Sequence, residues 1–251
     1  MKVHRALDWL TAKPIAHRGL HDAALGIVEN AAGAVQAALA AGYGVEVDLQ
    51  ISADGEAMVH HDAALGRLTE GDSRLDQLTS TELKHVKFRG SPERMLSLGD
   101  LCDLVDGRVA LLPELKSRFD GDSRLAERVA ALLSAYKGPV APMSFDPLQL
   151  QVLRQKAPSL PRGIVAAKYK PHPYWDQMPP RLRYNMGSLL PAASARPQFV
   201  AYMADNLPAV APWIARHILC LPLVTWVVRS KAEQQRAMRY ADQIIFEGFR
   251  P

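Results

Sequence analysis

Between residues 14 and 246 short apolar runs alternate with helix-like stretches, and this alternation narrows the fold more than any other feature of the chain. A strand that rejoins its sheet through a helical crossover lies parallel to the strand before it, so the pattern predicts a parallel α/β sheet. Strand-like runs occur at 14–16, 44–50, 108–114, 140–145, 163–166, 199–202, 223–228 and 243–246. Eight such strands in sequence predict a TIM-like (β/α)8 barrel, and 251 residues suit one such domain over 1–251.

Local signals support the helices between these runs. An alanine-rich helix over 30–41 stops at Gly42, and Asp146-Pro147 supplies an N-cap and a first-turn proline for a helix reaching 155. Further helices are predicted over 123–136 and 230–240. Residues 52–107 are too many for a simple crossover and predict an insertion after strand two at the site end, with apolar alternation at 57–60 and a helical piece over 96–105. The proline-rich stretch 169–197 predicts a lid or a broken helix. The chain stops soon after strand eight, and the amphipathic segment 3–10 is expected to cover the gap left by an eighth helix.

Charge and cysteine usage exclude several classes. The 30 Lys and Arg against 26 Asp and Glu give a net charge of +4, spread without a basic run. Diffuse basicity favours phosphate-bearing substrates or anionic membrane surfaces over nucleic acid, which calls for a clustered basic stripe or stacking aromatics. Cys102 and Cys220 stand alone among apolar residues, without metal-ligand spacing. No apolar stretch approaches the roughly 18 residues of a membrane span, so no stable membrane insertion is expected. The expected location is the cytoplasm.

Polar residues gather where the predicted strands end: His17-Arg18-Gly19, Glu46 and Asp48, Glu114 and Lys116, and Ser144. Side chains at i and i+2 share a strand face, so Glu46 and Asp48 point together, as do Glu114 and Lys116. Carboxylates on apolar strands are costly to bury unless paired or bound to a cation. Two readings follow: an all-oxygen site for one divalent cation, Mg²⁺ or Ca²⁺, or a salt-bridge network with Arg18 and Lys116. His17 and one of His60 and His61 are candidates for proton transfer near neutral pH.

The ordered set His17-Arg18-Gly19, Glu29-Asn30, Glu46-Val47-Asp48, Asp54-Gly55, His61-Asp62 and Pro113-Glu114-Leu115-Lys116 resembles the glycerophosphodiester phosphodiesterases. The likeness extends through Arg67-Leu68-Thr69, Ser144-Phe145 and Trp226 to the closing segment. It implies metal ligation by Glu46, Asp48 and Glu114, acid-base catalysis by His17 and His61, and phosphate contacts from Arg18 and Lys116. Glu29 is implied as a further site carboxylate near the metal, grouped with Arg18 and Lys116 in substrate binding, with Asn30 orienting the loop or capping the following helix. The implied activity is hydrolysis of a small-molecule glycerophosphodiester to glycerol 3-phosphate and an alcohol. Two enzymatic alternatives are a lysophospholipase D-like reaction and one that stops at a cyclic phosphate; a noncatalytic phosphodiester-binding barrel is the third. Two departures bear on the substrate: residues 20–28 lengthen the loop before Glu29, with Val28 in place of a proline, and Glu247 stands where the family commonly has Asp.

Overall fold

The structure, a computed structural model, describes residues 7–171, 175–176 and 178–251. Eight parallel strands close into a ring: β1 (Ile15–Ala16), β2 (Gly44–Ile51), β4 (Leu111–Leu115), β5 (Met143–Ser144), β6 (Gly163–Ala166), β7 (Phe199–Met203), β8 (Leu223–Val228) and β9 (Gln243–Phe246), with β1 bonded to both β2 and β9. The expected (β/α)8 barrel is therefore present. A ninth strand, β3 (Ala57–Val59), returns antiparallel along β2 once β1 has ended.

β2 shows how the pattern positions the site. Val45, Val47 and Leu49 enter the hydrophobic core between barrel and helices, and Glu46 and Asp48 take the alternate face. The register sets Asp48 directly beside Glu114 of β4 and leaves both carboxylates buried.

Several boundaries differ from expectation for local reasons. β4 begins at Leu111 because Arg108 folds back to donate to the carbonyls of Leu104 and Val105 at the end of the preceding helix. Pro142, which has no N–H to donate, helps confine β5 to two residues, and Val140 keeps only an isolated bridge to Leu111. The alanine-rich helix runs Ala32–Ala41; Asn30 stands outside it with φ +59° and does not cap it. A helix that the sequence reading did not resolve, Val210–His217, links β7 and β8, in a stretch where Pro208, Pro212 and Pro222 interrupt the helical pattern.

The 52–107 stretch folds over β2 and carries a small core of its own, Met58, Leu75, Leu83, Phe88 and Met95. Within the 169–197 stretch, residues 180–195 form a broken helical wall, with an α-helix at Pro180–Asn185 and 3₁₀ turns at Met186–Ser188 and Leu190–Ala195; residues 172–174 and 177 lie outside the described residues. Of segment 3–10, residues 3–6 lie outside the described residues. A short helix, Asp8–Ala12, packs by β9; Leu7 and Leu10 are buried, and Gln243 donates to the Thr11 carbonyl at 2.9 Å. Among the described residues no helix is long and apolar enough to cross a membrane.

Candidate active site

Glu46, Asp48 and Glu114 converge at the carboxyl ends of β2 and β4, each offering an oxygen within 4.8 Å of the others'. Both readings of these carboxylates are partly realised. Lys116 Nζ lies 2.7 Å from Asp48 and 2.6 Å from Glu114, and Arg18 Nε lies 3.1 Å from Asp48. Burial opposes the charge on Asp48, but Lys116 and Arg18 hold its carboxyl well below the usual range. Glu46 is treated differently. Among the described residues its Oε2 accepts only the Arg18 backbone N–H, at 2.9 Å, and its buried Oε1 has no hydrogen-bond partner. Burial, together with the neighbouring Asp48 and Glu114 charges, pushes Glu46 well above the usual carboxylate range. An orphaned carboxylate oxygen within an all-oxygen cluster fits a hard divalent cation.

His17 and His61 flank this cluster and share one arrangement. His17 Nδ1 is 2.6 Å from Glu247 Oε2, and His61 Nδ1 is 2.8 Å from Asp62 Oδ1. A carboxylate on Nδ1 selects the tautomer that leaves Nε2 as the basic nitrogen. His17 Nε2 lies 3.9 Å from Glu46. Burial lowers the His17 pKa, partly offset by its bond to Glu247.

The local backbone serves this geometry. Gly19 follows His17-Arg18 at φ +75°, and a Cβ there would sit 2.7 Å from the Ala34 carbonyl carbon, so only glycine fits between β1 and the helix. Asn30 is bonded twice to Asp48, from its amide to the carboxylate at 2.9 Å and from the Asp48 N–H to its carbonyl at 3.1 Å. It therefore orients a site carboxylate, a role the sequence did not reveal.

A chain of ion pairs joins the two sides. Arg18 and Arg67 each donate to Glu29 Oε1 at 2.7 Å, and Arg67 also bonds Asp62, the residue behind His61. Glu29 thus braces two arginines and lies apart from the three-carboxylate cluster. Ser144 is turned to backbone, donating to the Leu115 carbonyl. His60 is buried beside Phe88 while its neighbour lines the cavity, as strand alternation requires.

Above the cluster opens a cavity of about 570 Å³ bounded by His17, Arg18, Glu46, His61, Glu114 and Lys116 on one side. Met143, Phe145, Trp175, Met203 and Trp226 form the other, with Phe145 packed edge-on to both tryptophans. Lys168, Lys170 and Arg229 also line it. The apolar wall escaped sequence reasoning because its residues read as ordinary core. Glu247 was visible as a departure from the family pattern, but its bond to His17 would have needed the strand-end rule extended to β9.

Comparison with known proteins covers the same span. The family model "Glycerophosphoryl diester phosphodiesterase family" matches residues 17–241. A glycerophosphodiester phosphodiesterase of Caldanaerobacter subterraneus subsp. tengcongensis is 28% identical over 163 residues, which is 60% of this chain and 65% of that relative's length. Among solved structures, an Oleispira antarctica phosphodiesterase in complex with the product sn-glycerol-3-phosphate superposes with a TM-score of 0.73 at 18% identity, over 95% of this chain and 94% of that one. A Thermotoga maritima glycerophosphodiester phosphodiesterase gives 0.68 at 21% identity, over 92% of each chain. The structural likeness establishes the barrel. The family match, which begins at the first site histidine and ends just before β9, spans both walls of the cavity, and the chain accordingly belongs to the glycerophosphoryl diester phosphodiesterase family.

Proposed function

We propose that the protein hydrolyses glycerophosphodiesters to glycerol 3-phosphate and an alcohol, using His17 and His61 as the acid-base pair and one divalent cation, Mg²⁺ or Ca²⁺, held by Glu46, Asp48 and Glu114. The observation that carries this reading is the pair of carboxylate-backed histidines facing one cavity across a buried cluster whose Glu46 Oε1 has no hydrogen-bond partner among the described residues. The reading also draws support from the family and from the glycerol 3-phosphate bound to the Oleispira relative. Residues 1–251 are taken to act as one barrel domain.

A cation bound there would neutralise phosphate charge and acidify a hydroxyl. The protein's own groups supply the rest. Arg18 and Lys116 bind phosphate oxygens, Arg18 through its planar fork. Glu29 fixes the Arg18 guanidinium from behind. His17, held by Glu247, takes the proton of the substrate's glycerol 2-hydroxyl, whose oxygen attacks phosphorus; His61, held by Asp62, protonates the departing alcohol. The resulting cyclic phosphate is opened by water with the two roles reversed, and internal attack gains the proximity advantage of an intramolecular step. Product analysis of a glycerophosphodiester beside its 2-deoxy analogue tests this. The analogue is expected to bind without turnover, and equal hydrolysis rates would show that water attacks directly.

A second reading has one observation in its favour. The wall of Met143, Phe145, Trp175, Met203 and Trp226 is more apolar than a small alcohol needs, which favours a lysophospholipase D-like use of the same chemistry. A panel of glycerophosphodiesters and lysophospholipids, each with Mg²⁺, Ca²⁺ or chelator, decides between them.

A further inference from the structure

The chain's charge is not distributed as evenly as the absence of a basic run suggests. Residues 168–220 contain six Lys or Arg against two Asp, a net of +4 that equals the net charge of the whole chain; the remainder holds 24 of each sign. The same segment contains seven of the nine large apolar side chains exposed among the described residues. Excess cations and exposed apolar groups therefore coincide.

The fold brings them onto one surface. Between the broken wall over 180–195 and the Val210–His217 helix runs an open groove of about 1090 Å³, lined by Leu190, Val210, Ile214 and Leu219 with Lys168 and Arg196. Leu190, Val210 and Leu219 are 72%, 74% and 63% exposed. Lys168 follows β6 and Arg196 precedes β7, so they mark opposite ends of the groove, and Lys168 also lines the site cavity. Lys168, Lys170, Arg181 and Arg196 are all exposed and pair with no carboxylate among the described residues.

A contiguous apolar patch rimmed by unpaired cations suits a surface that is negatively charged outside and hydrocarbon beneath. A second copy of the chain fits poorly, because a two-fold contact sets the patch against itself and opposes like charges. We propose that this face docks peripherally on anionic lipid bilayers, Leu190, Val210, Ile214 and Leu219 entering the interface while Lys168 and Arg196 at the two ends of the groove meet the headgroups. The mouth of the site cavity then lies next to the membrane. Docking goes beyond hydrolysis and does not depend on it.

Sedimentation with lipid vesicles, without substrate, tests the proposal. The full chain is expected to sediment with phosphatidylcholine vesicles containing roughly one-third phosphatidylglycerol and not with phosphatidylcholine alone, and to be released at high salt. The variants L190S/L219S and K168E/R196E each lower the partition coefficient by about tenfold or more, as expected for anchors and headgroup contacts. K137E, at an exposed lysine outside the segment, leaves it unchanged. The altered leucines are mostly exposed, so both variants retain the wild-type circular dichroism spectrum. Wild-type protein that ignores anionic vesicles, binds neutral ones equally, or loses nothing in either double variant overturns the proposal. So does a wild-type dimer in analytical ultracentrifugation that L190S/L219S converts to monomer, since a second copy would then cover the face. Binding without any hydrolysis would count against the catalytic reading alone.

Discussion

The two walls of the cavity are built on different principles. The wall from β1, β2, β4 and the turn after β9 is a network of charges in which Arg18, Lys116, Glu247, Asp62, Asn30 and Arg67 each fix another site residue. The facing wall presents aromatic rings and methionines that pack on one another. Removing one member of a buried charge network strands its partner, whereas trimming an apolar wall changes shape and area. The difference separates two kinds of surface: under the proposed function the first wall would move protons and hold phosphate, and the second would discriminate among alcohols.

The sharpest way to break this division is to disable the carboxylate cluster. Chelator, or Glu46→Gln, is expected to reduce hydrolysis to background; full activity of Glu46→Gln in chelator would remove the cation from the site. Next come the histidines. His17→Ala and His61→Ala are each expected to lower turnover by about 10² to 10⁴, with a smaller effect on binding, whereas His60→Ala costs less than about tenfold in turnover. A severe His60 defect beside a silent His61 would reverse their assignment.

His60 should be felt in stability instead. Burial holds its imidazole down at about 4. It is neutral in the folded protein and protonates near 6.5 in the unfolded chain. Its contribution is complete above that value and is lost as the pH falls towards 4, amounting to roughly 3 kcal/mol. Denaturant titrations across this window should show a flatter profile for His60→Leu than for wild type, and parallel profiles would refute the assignment. The smallest effect is expected on the apolar wall. Met203→Ala should shift the ratio of kcat/KM between apolar and small leaving alcohols by about tenfold while leaving kcat nearly unchanged. A large fall in kcat for every substrate would dissolve the distinction between the walls.

Much of the barrel was legible because each strand had to be apolar enough to bury and each crossover long enough to return. Boundaries slipped where single residues intervened, as at Arg108 and Pro142. The broken wall over 180–195 was visible only as a disturbance, since its prolines disrupt periodicity without saying what replaces it.

Within the site, period-two alternation by itself determined that Glu46 and Asp48 share a face and that only one of His60 and His61 can line the cavity. The sequence motif also contained the glycine that the turn after Arg18 requires. Tertiary structure alone decided the rest. Strand register set Asp48 against Glu114, barrel closure brought Glu247 to His17 across 230 positions, and the insertion delivered Arg67 to Glu29 and Asp62. A linear pattern records the period of a strand, but contacts between distant segments depend on register and closure, which are determined by the packing of the whole ring.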